Sequence, residues 1–307
     1  MRILRALSSL AVASLVGTTL VARQAPRVES GGSLVEVDAV VVDAGGRPVD
    51  GLKEQDFHVR EDGHAVTLTS FTSSAARDEE GQASRRSVVL ILDDSGVNPR
   101  LTSRVQNIAR QFVSRTGVAD ELNVVRLNNR RDEPTGDRKE ALMRIAEYRA
   151  GAVPFFGRET VETALTRIAR LSGGFDQLEQ KRRAIVAIGS PNVFDIDEPI
   201  DRQQSLIWNY WVGALKAAAR AHVGVYVIDP TGLTGRMRIE RNGVVARTGG
   251  EAFYNRNDFA PAVQQIWQDG GHYYLLGYAP PASKRELHDI DVRVDRPGLK
   301  VRARRTR

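Results

Sequence analysis

SVVLILDDSG, Ser87 to Gly96, is the stretch from which the rest of the chain is read. The apolar run Val88 to Leu92 is too short for a long helix and too continuous for a half-exposed strand. It predicts a strand covered on both faces, in a parallel sheet flanked by helices. The run stops at Asp93-Asp94-Ser95-Gly96. Ligands of open parallel sheets sit outside the carboxyl ends of the strands. Two carboxylates and a hydroxyl therefore fall where a small cation could be held.

Working outward, residues 121–128, 182–190, 223–229 and 272–279 read as further strands, and EAFY as a short edge strand. Helical spacing of apolar residues marks 99–116, 139–149, 161–171 and 204–222, and Asp258 is placed to cap one more helix. Strand and helix alternate from 87 to 279, which predicts an α/β fold with a doubly wound, mostly parallel sheet. Residues 34–72 read as a small β unit: a strand at 34–43, then a hairpin of FHVRE and AVTLTSF turned at Asp62-Gly63. Residues 73–86 are polar and aperiodic, a linker. HDIDVRV and LKVRARR, within 286–307, read as a second hairpin. Neither β unit buries a core alone, so the two are expected to meet in an accessory β-sandwich.

The chain has 307 residues, a formal charge of +6 and no cysteine. The missing cysteines exclude disulfides, thiol nucleophiles and thiolate zinc sites. The basic residues are scattered and interleaved with acids, which argues against a nucleic-acid footprint. The basic cluster VRARRTR at the C-terminus reads as a solvated tail. At the other end, Arg2 and Arg5 precede the apolar, small-residue run LSSLAVASLVGTTLVA. That is a signal-peptide pattern, residues 1–22, with cleavage near Ala22. The run falls short of the roughly 20 apolar residues a membrane span needs, so no stable span is expected after cleavage. The expected location is secreted or periplasmic.

Other chemical motifs are weak. His58, His64, His222, His272 and His288 lack metal-ligand spacing, and no GxSxG elbow is present. Leu171–Gly174 and Thr248–Gly250 read as helix caps or turns. Asp195, Asp197 and Glu198 form an acidic loop, read as solvated before it is read as a calcium site.

Several stretches together resemble the von Willebrand factor A-like domains, in particular the acidobacterial von Willebrand factor A-related proteins. They are GRPVDGLKEQDFHVREDG, SVVLILDDSG, VGVYVIDPTGL, RTGGEAFYNRNDF, HYYLLGYAPP and HDIDVRVDRPGLKVRARR, in that order. The resemblance implies a metal-ion-dependent adhesion site: Asp-x-Ser-x-Ser after the first strand, a later Thr and a later Asp. Such a site would hold Mg²⁺, which favours octahedral oxygen ligands, and leave a position for a partner's carboxylate. Asp93 and Ser95 match the pattern, but Val97 cannot coordinate. Thr160 lies near the later Thr position, with Glu159 in the expected slot. Gly189-Ser190 stands where the later Asp is expected. Asp94, Asn98, Glu159 and Ser190 are the remaining ligand-binding candidates. The site reads as degenerate, with Asp93, Ser95 and Thr160 as its metal-binding remnant. No cofactor is assigned; Mg²⁺ is the ion this pattern would take.

No nucleophile, base and orienter assemble in the sequence, so no enzyme activity is expected. The chain reads as an exported interaction or adhesion-type protein that binds a protein or cell-surface ligand through the loops 93–100, 152–160 and 189–199. The alternatives are a metal-free periplasmic envelope scaffold, or a hydrolase using the strand-end crevice.

Overall fold

The computed structural model describes residues 34–74, 85–151, 157–175, 182–199, 206–234 and 243–307. The expected signal peptide, most of the linker and residues 152–156 of one apex loop lie outside them.

The chain enters through four strands, β1 (Val35–Val42), β2 (Phe57–Glu61), β3 (His64–Val66) and β4 (Leu68–Ser74). Next come β5 (Ser87–Leu92), α1 (Thr102–Arg115), β6 (Glu121–Arg126), α2 (Arg138–Glu147), α3 (Arg158–Gly174) and β7 (Arg183–Ile188). Then follow α4 (Pro191–Phe194), α5 (Leu206–Arg220), β8 (Val223–Ile228), α6 (Val244–Arg247), β9 (Ala252–Phe253) and α7 (Ala260–Asp269). The chain closes with β10 (Tyr273–Tyr278), β11 (Ile290–Val294) and β12 (Lys300–Ala303). Among the described residues, no helix is long and apolar enough to cross a membrane.

One sheet is five-stranded and parallel, in the order β6-β5-β7-β8-β9. Its helices cover both faces. Val88, Leu90 and Leu92 of β5 pack with Phe112 of α1, Ile145 of α2 and Ile266 of α7. Val89 and Ile91 pack on the opposite face with Ile168 of α3 and Leu215 of α5. Successive side chains of a strand point to opposite faces, so two covered faces require the unbroken apolar run of β5. Each fully buried aliphatic side chain contributes about 1.5–3 kcal/mol.

The second lobe is a pair of antiparallel sheets, β12-β1-β10-β4 and β11-β2-β3. Val37, Ala39 and Val41 of β1, Phe57 and Val59 of β2, and Tyr274 and Leu276 of β10 form the core between them.

Three strand assignments differ from the sequence reading. HYYLLGYA does not extend the parallel sheet; β10 lies between β1 and β4, antiparallel to both. Its run is continuous because both of its faces are covered: Tyr274, Leu276 and Tyr278 face the sandwich core, while Tyr273 packs with Val40 and Val42. Two-sided coverage, not strand direction, produces such a run. AVTLTSF is not one strand; the chain changes sheets at Thr67, so that β3 pairs with β2 and β4 with β10. The C-terminal segments form no hairpin either. β11 pairs with β2 and β12 with β1, and the turn between them carries Gly298 at φ +80° across the two sheets.

The two lobes meet on buried charge. Asp38, on the face of β1 opposite the sandwich core, is 1% exposed. It accepts a hydrogen bond from Arg182, which immediately precedes β7. Arg182 Nη2 donates to Tyr226 Oη (3.1 Å) and to the Gly249 carbonyl (3.1 Å). Tyr226 donates to Asp269 (2.9 Å), and Arg302 of β12 bridges Asp269 and Glu251, each at 2.7 Å. Arg304, 4% exposed, donates to the carbonyls of Glu36 and Ala219. The expectation of a solvated basic tail is therefore overturned: Arg302, Arg304 and Arg307 point inward because buried carbonyls and carboxylates require donors.

Burial pushes the Asp38 carboxyl up, but the charges of Arg182, Arg304 and His222 outweigh it and hold its pKa below the usual range. A carboxyl with a depressed folded-state pKa stabilises the fold above its unfolded value, near 4, and loses that contribution as pH falls through the folded value. Removing one partner of a buried pair costs about 3–5 kcal/mol. Asp38→Ala is therefore expected to lower unfolding free energy at pH 7 by about that amount, measured in urea. The loss of stability between pH 5 and pH 3 is expected to be smaller in the variant than in the wild type.

Candidate functional site

In the order β6-β5-β7-β8-β9, the connection out of β5 runs toward one edge of the sheet and the connection out of β7 toward the other, so β5 and β7 flank the reversal. A crevice outside the strand ends forms at such a point. Asp93 follows β5 there. Its backbone N–H donates to the Ile188 carbonyl at 3.2 Å, which continues the sheet by one residue.

Asp93 is 0% exposed. Oδ1 accepts from Ser95 N–H (3.1 Å), Ser95 Oγ–H (3.3 Å) and Gly96 N–H (2.6 Å), while Oδ2 accepts from Ser190 N–H (3.0 Å). The carbonyl of Asp93 accepts from Tyr148 Oη–H at 2.6 Å. One carboxylate thus fastens the loop after β5 to the loop after β7. Burial raises its pKa, and the Gly96, Ser190 and Ser95 hydrogen bonds only partly offset the rise. Burial also raises the Tyr148 hydroxyl, with the nearby charges of Asp93 and Asp94 adding to it.

Two glycines make this approach feasible. A Cβ on Gly189 would lie 2.3 Å from the Asp93 Cβ, and one on Gly96 would lie 2.6 Å from its Oδ2. The position where the resemblance leads one to expect an aspartate is therefore occupied by the residue that lets Asp93 close against β7.

The structure brings Asp93, Ser95 and Ser190 together, with Ser190 contributing its backbone amide. Asp94 faces the neighbouring loop and accepts from Asn128 N–H (3.1 Å) and Nδ2–H (2.7 Å). Asn98 caps the short turn before α1 by accepting from Arg100 N–H at 3.0 Å. Thr160 and Glu159 lie in the first turn of α3. Among the described residues, neither donates to Asp93. Val97 is buried at 4% exposure. A hard cation needs exposed oxygens with free lone pairs. Here the Asp93 carboxylate is engaged at both oxygens by amides, and Val97 and Gly189 offer no side-chain ligand. The residues do not fit a metal site of the adhesion type.

A different carboxylate and imidazole cluster was not visible in the sequence. Glu61 and Asp62, at the end of β2, meet His288 just before β11. His288 Nδ1 lies 2.8 Å from Asp62 and 3.1 Å from Glu61. Arg307 pairs with Glu61 and Arg285 with Asp62, and Tyr278 donates to Glu61 at 2.7 Å. Those two guanidinium groups supply the countercharge that a cation would bring, so the cluster ties the C-terminus to the sandwich. The turn signal Asp62-Gly63 was readable; its partners lie more than two hundred residues away. The acidic loop resolves likewise into pairs: Asp195 accepts from Val245 N–H (3.0 Å), and Glu198 pairs with Arg247 (2.8 Å).

The rim also carries an open cavity of about 460 Å³ between the loop after β6 and helices α3 and α5. Leu127, Arg130, Arg167, Arg170 and Tyr210 line it together with Glu159.

The fold and rim define an α/β protein with a parallel sheet and an attached antiparallel sandwich. No protein-family model and no curated protein matches the chain. Among solved structures, it is similar to proximal thread matrix protein 1 from the mussel byssus, at TM-score 0.38 and 11% identity, over 60% of this chain and 47% of that one. It is also similar to the PilB minor pilin from Streptococcus sanguinis, at TM-score 0.33 and 11% identity, over 62% of this chain and 63% of that one. The chain spans less than two thirds of either neighbour, and likenesses this distant do not bear on function.

Asp93→Ala would strand the amides of Ser95, Gly96 and Ser190. A buried donor left without its acceptor costs about 1–3 kcal/mol, so the variant is expected to unfold several kcal/mol more easily in urea. Gly189→Ala is expected to cost at least the roughly 1–3 kcal/mol of an overpacked site, because the clash is with carbon atoms at the sheet end.

Proposed function

We propose that this chain is an exported, non-enzymatic binding module of the von Willebrand factor A-like type. It contacts a protein or cell-surface ligand through the loops at the carboxyl ends of the parallel strands, without a metal ion. The observation that carries this reading is the engagement of Asp93. Its carboxylate holds the two loops at the reversal point in place and is sealed from solvent, so the residue organises a contact surface instead of presenting a reactive group. The strand order supports the reading, because it places those loops side by side on one rim. The histidines support it too: His58, His272 and His288 each pair with a carboxylate in the sandwich lobe or at its edge, away from the rim.

The absence of cysteine allows site-directed blocking. A bulky maleimide polymer at Arg100→Cys covers the rim; at Ala65→Cys it covers the sandwich. Capture of a partner from envelope extract is expected to be lost in the first case, retained in the second and unchanged by EDTA. Capture that needs a divalent cation, or that is blocked only at Ala65→Cys, would refute the proposal.

A further inference from the structure

We infer that the cavity lined by Arg130, Arg167 and Arg170 is a receptor for a carboxylate on an acidic segment of the partner protein. This rests on the rim-binding reading and assigns it a chemistry. Leu127 follows β6 directly, so the cavity opens at the strand-end rim. Arg167 is 5% exposed, and its Nη2 donates to the carbonyls of Arg126 (3.4 Å), Asn129 (3.2 Å) and Asp132 (2.7 Å). Those bonds fix the loop that carries Arg130. The Nε–H of Arg167 has no acceptor among the described residues. That Nε is sealed from solvent, so Arg167 acts as a fixed positive charge in the cavity wall while Arg130 and Arg170 are the groups a ligand can reach.

The charge balance selects the ligand. Three arginines line the cavity against two glutamates, Glu159 and Glu162, which leaves one positive charge in excess. Glu162 is already held by Arg158 at 2.7 Å, and Arg170 reaches Glu133 across the surface. A monoanionic carboxylate matches that excess, whereas a phosphate dianion would meet Glu159. Guanidinium groups also suit the planar, bidentate geometry of a carboxylate. Tyr210, 40% exposed, offers apolar surface for the methylene groups of a glutamate side chain. Both glutamates disfavour a strongly anionic polymer, which separates this cavity from a nucleic-acid groove.

The test uses the full chain and a fluorescein-labelled, C-terminally amidated hexapeptide carrying one glutamate among glycine and serine residues, followed by anisotropy at low salt. Saturable binding is expected, weakened at least tenfold in Arg130→Ala/Arg170→Ala and competed poorly by inorganic phosphate. Arg167 is left intact because it holds the loop. Arg170 pairs with Glu133 on the surface, where a pair contributes little, so the double variant is expected to keep the wild-type urea transition. No saturable binding, equal binding by the double variant, or displacement by phosphate at the same concentration as peptide would each overturn the inference. If partner capture still depends on the rim while the peptide fails, the carboxylate receptor is wrong and the rim reading stands. If the peptide binds as expected but capture ignores the rim, the receptor stands and the rim reading falls.

Discussion

A charge buried where two lobes join must find its counterion across the junction, and Asp38 sets that condition for this fold. It sits on the outward face of a strand whose other face is sandwich core, so neither the sandwich nor water can satisfy it. Arg182, at the entrance to the central parallel strand, does so, and Arg304 from the last segment stands beside it. The orientation of the sandwich against the parallel sheet follows from this pairing. Tyr226, Asp269, Arg302 and Glu251 extend it along the junction, so that the first strand, the central sheet and the C-terminal strand are held by one set of hydrogen bonds. A dry junction of charges gains little net stability over an apolar one, but any mismatch in register would leave an ion alone.

The same economy of partners governs the rim. Asp93 occupies the place where an open α/β sheet presents its ligands, yet both oxygens of its carboxylate are taken up by amides of its own loop and of the loop after β7. Glycine at 96 and 189 allows the carboxylate to close against the neighbouring strand. What the rim offers outward is the cavity beside α3, where arginines gather around a short loop fixed by Arg167. A loop held at three carbonyls by Arg167 and carrying Arg130 suits recognition, because little order has to be imposed when a ligand arrives.

Legibility in the sequence followed the range of the signal. Local patterns read well: the covered run of β5, the helical stripes of α1 and α5, and the Asp62-Gly63 turn all formed where their spacing placed them. Pairings between distant segments did not. The strand at 273–278 has the same apolar character as a parallel core strand, since coverage on two faces leaves no alternation to read. The break at Thr67 and the crossing after β11 are choices between two sheets, and the residues themselves suit either. Arg302 and Arg304 look like any basic tail until their acceptors, contributed by β1, α5, α7 and the residue before β9, are in view.

By itself the sequence determined that strands covered on both faces alternate with amphipathic helices, and that an acidic turn follows the first of them, because those properties depend on residues close together in the chain. The tertiary structure decided what the acidic turn does. Ser95, Gly96 and Ser190 satisfy Asp93 from two loops nearly a hundred residues apart. A carboxylate becomes a ligand or a brace according to the donors that reach it, and those donors come together only when β5 and β7 lie side by side.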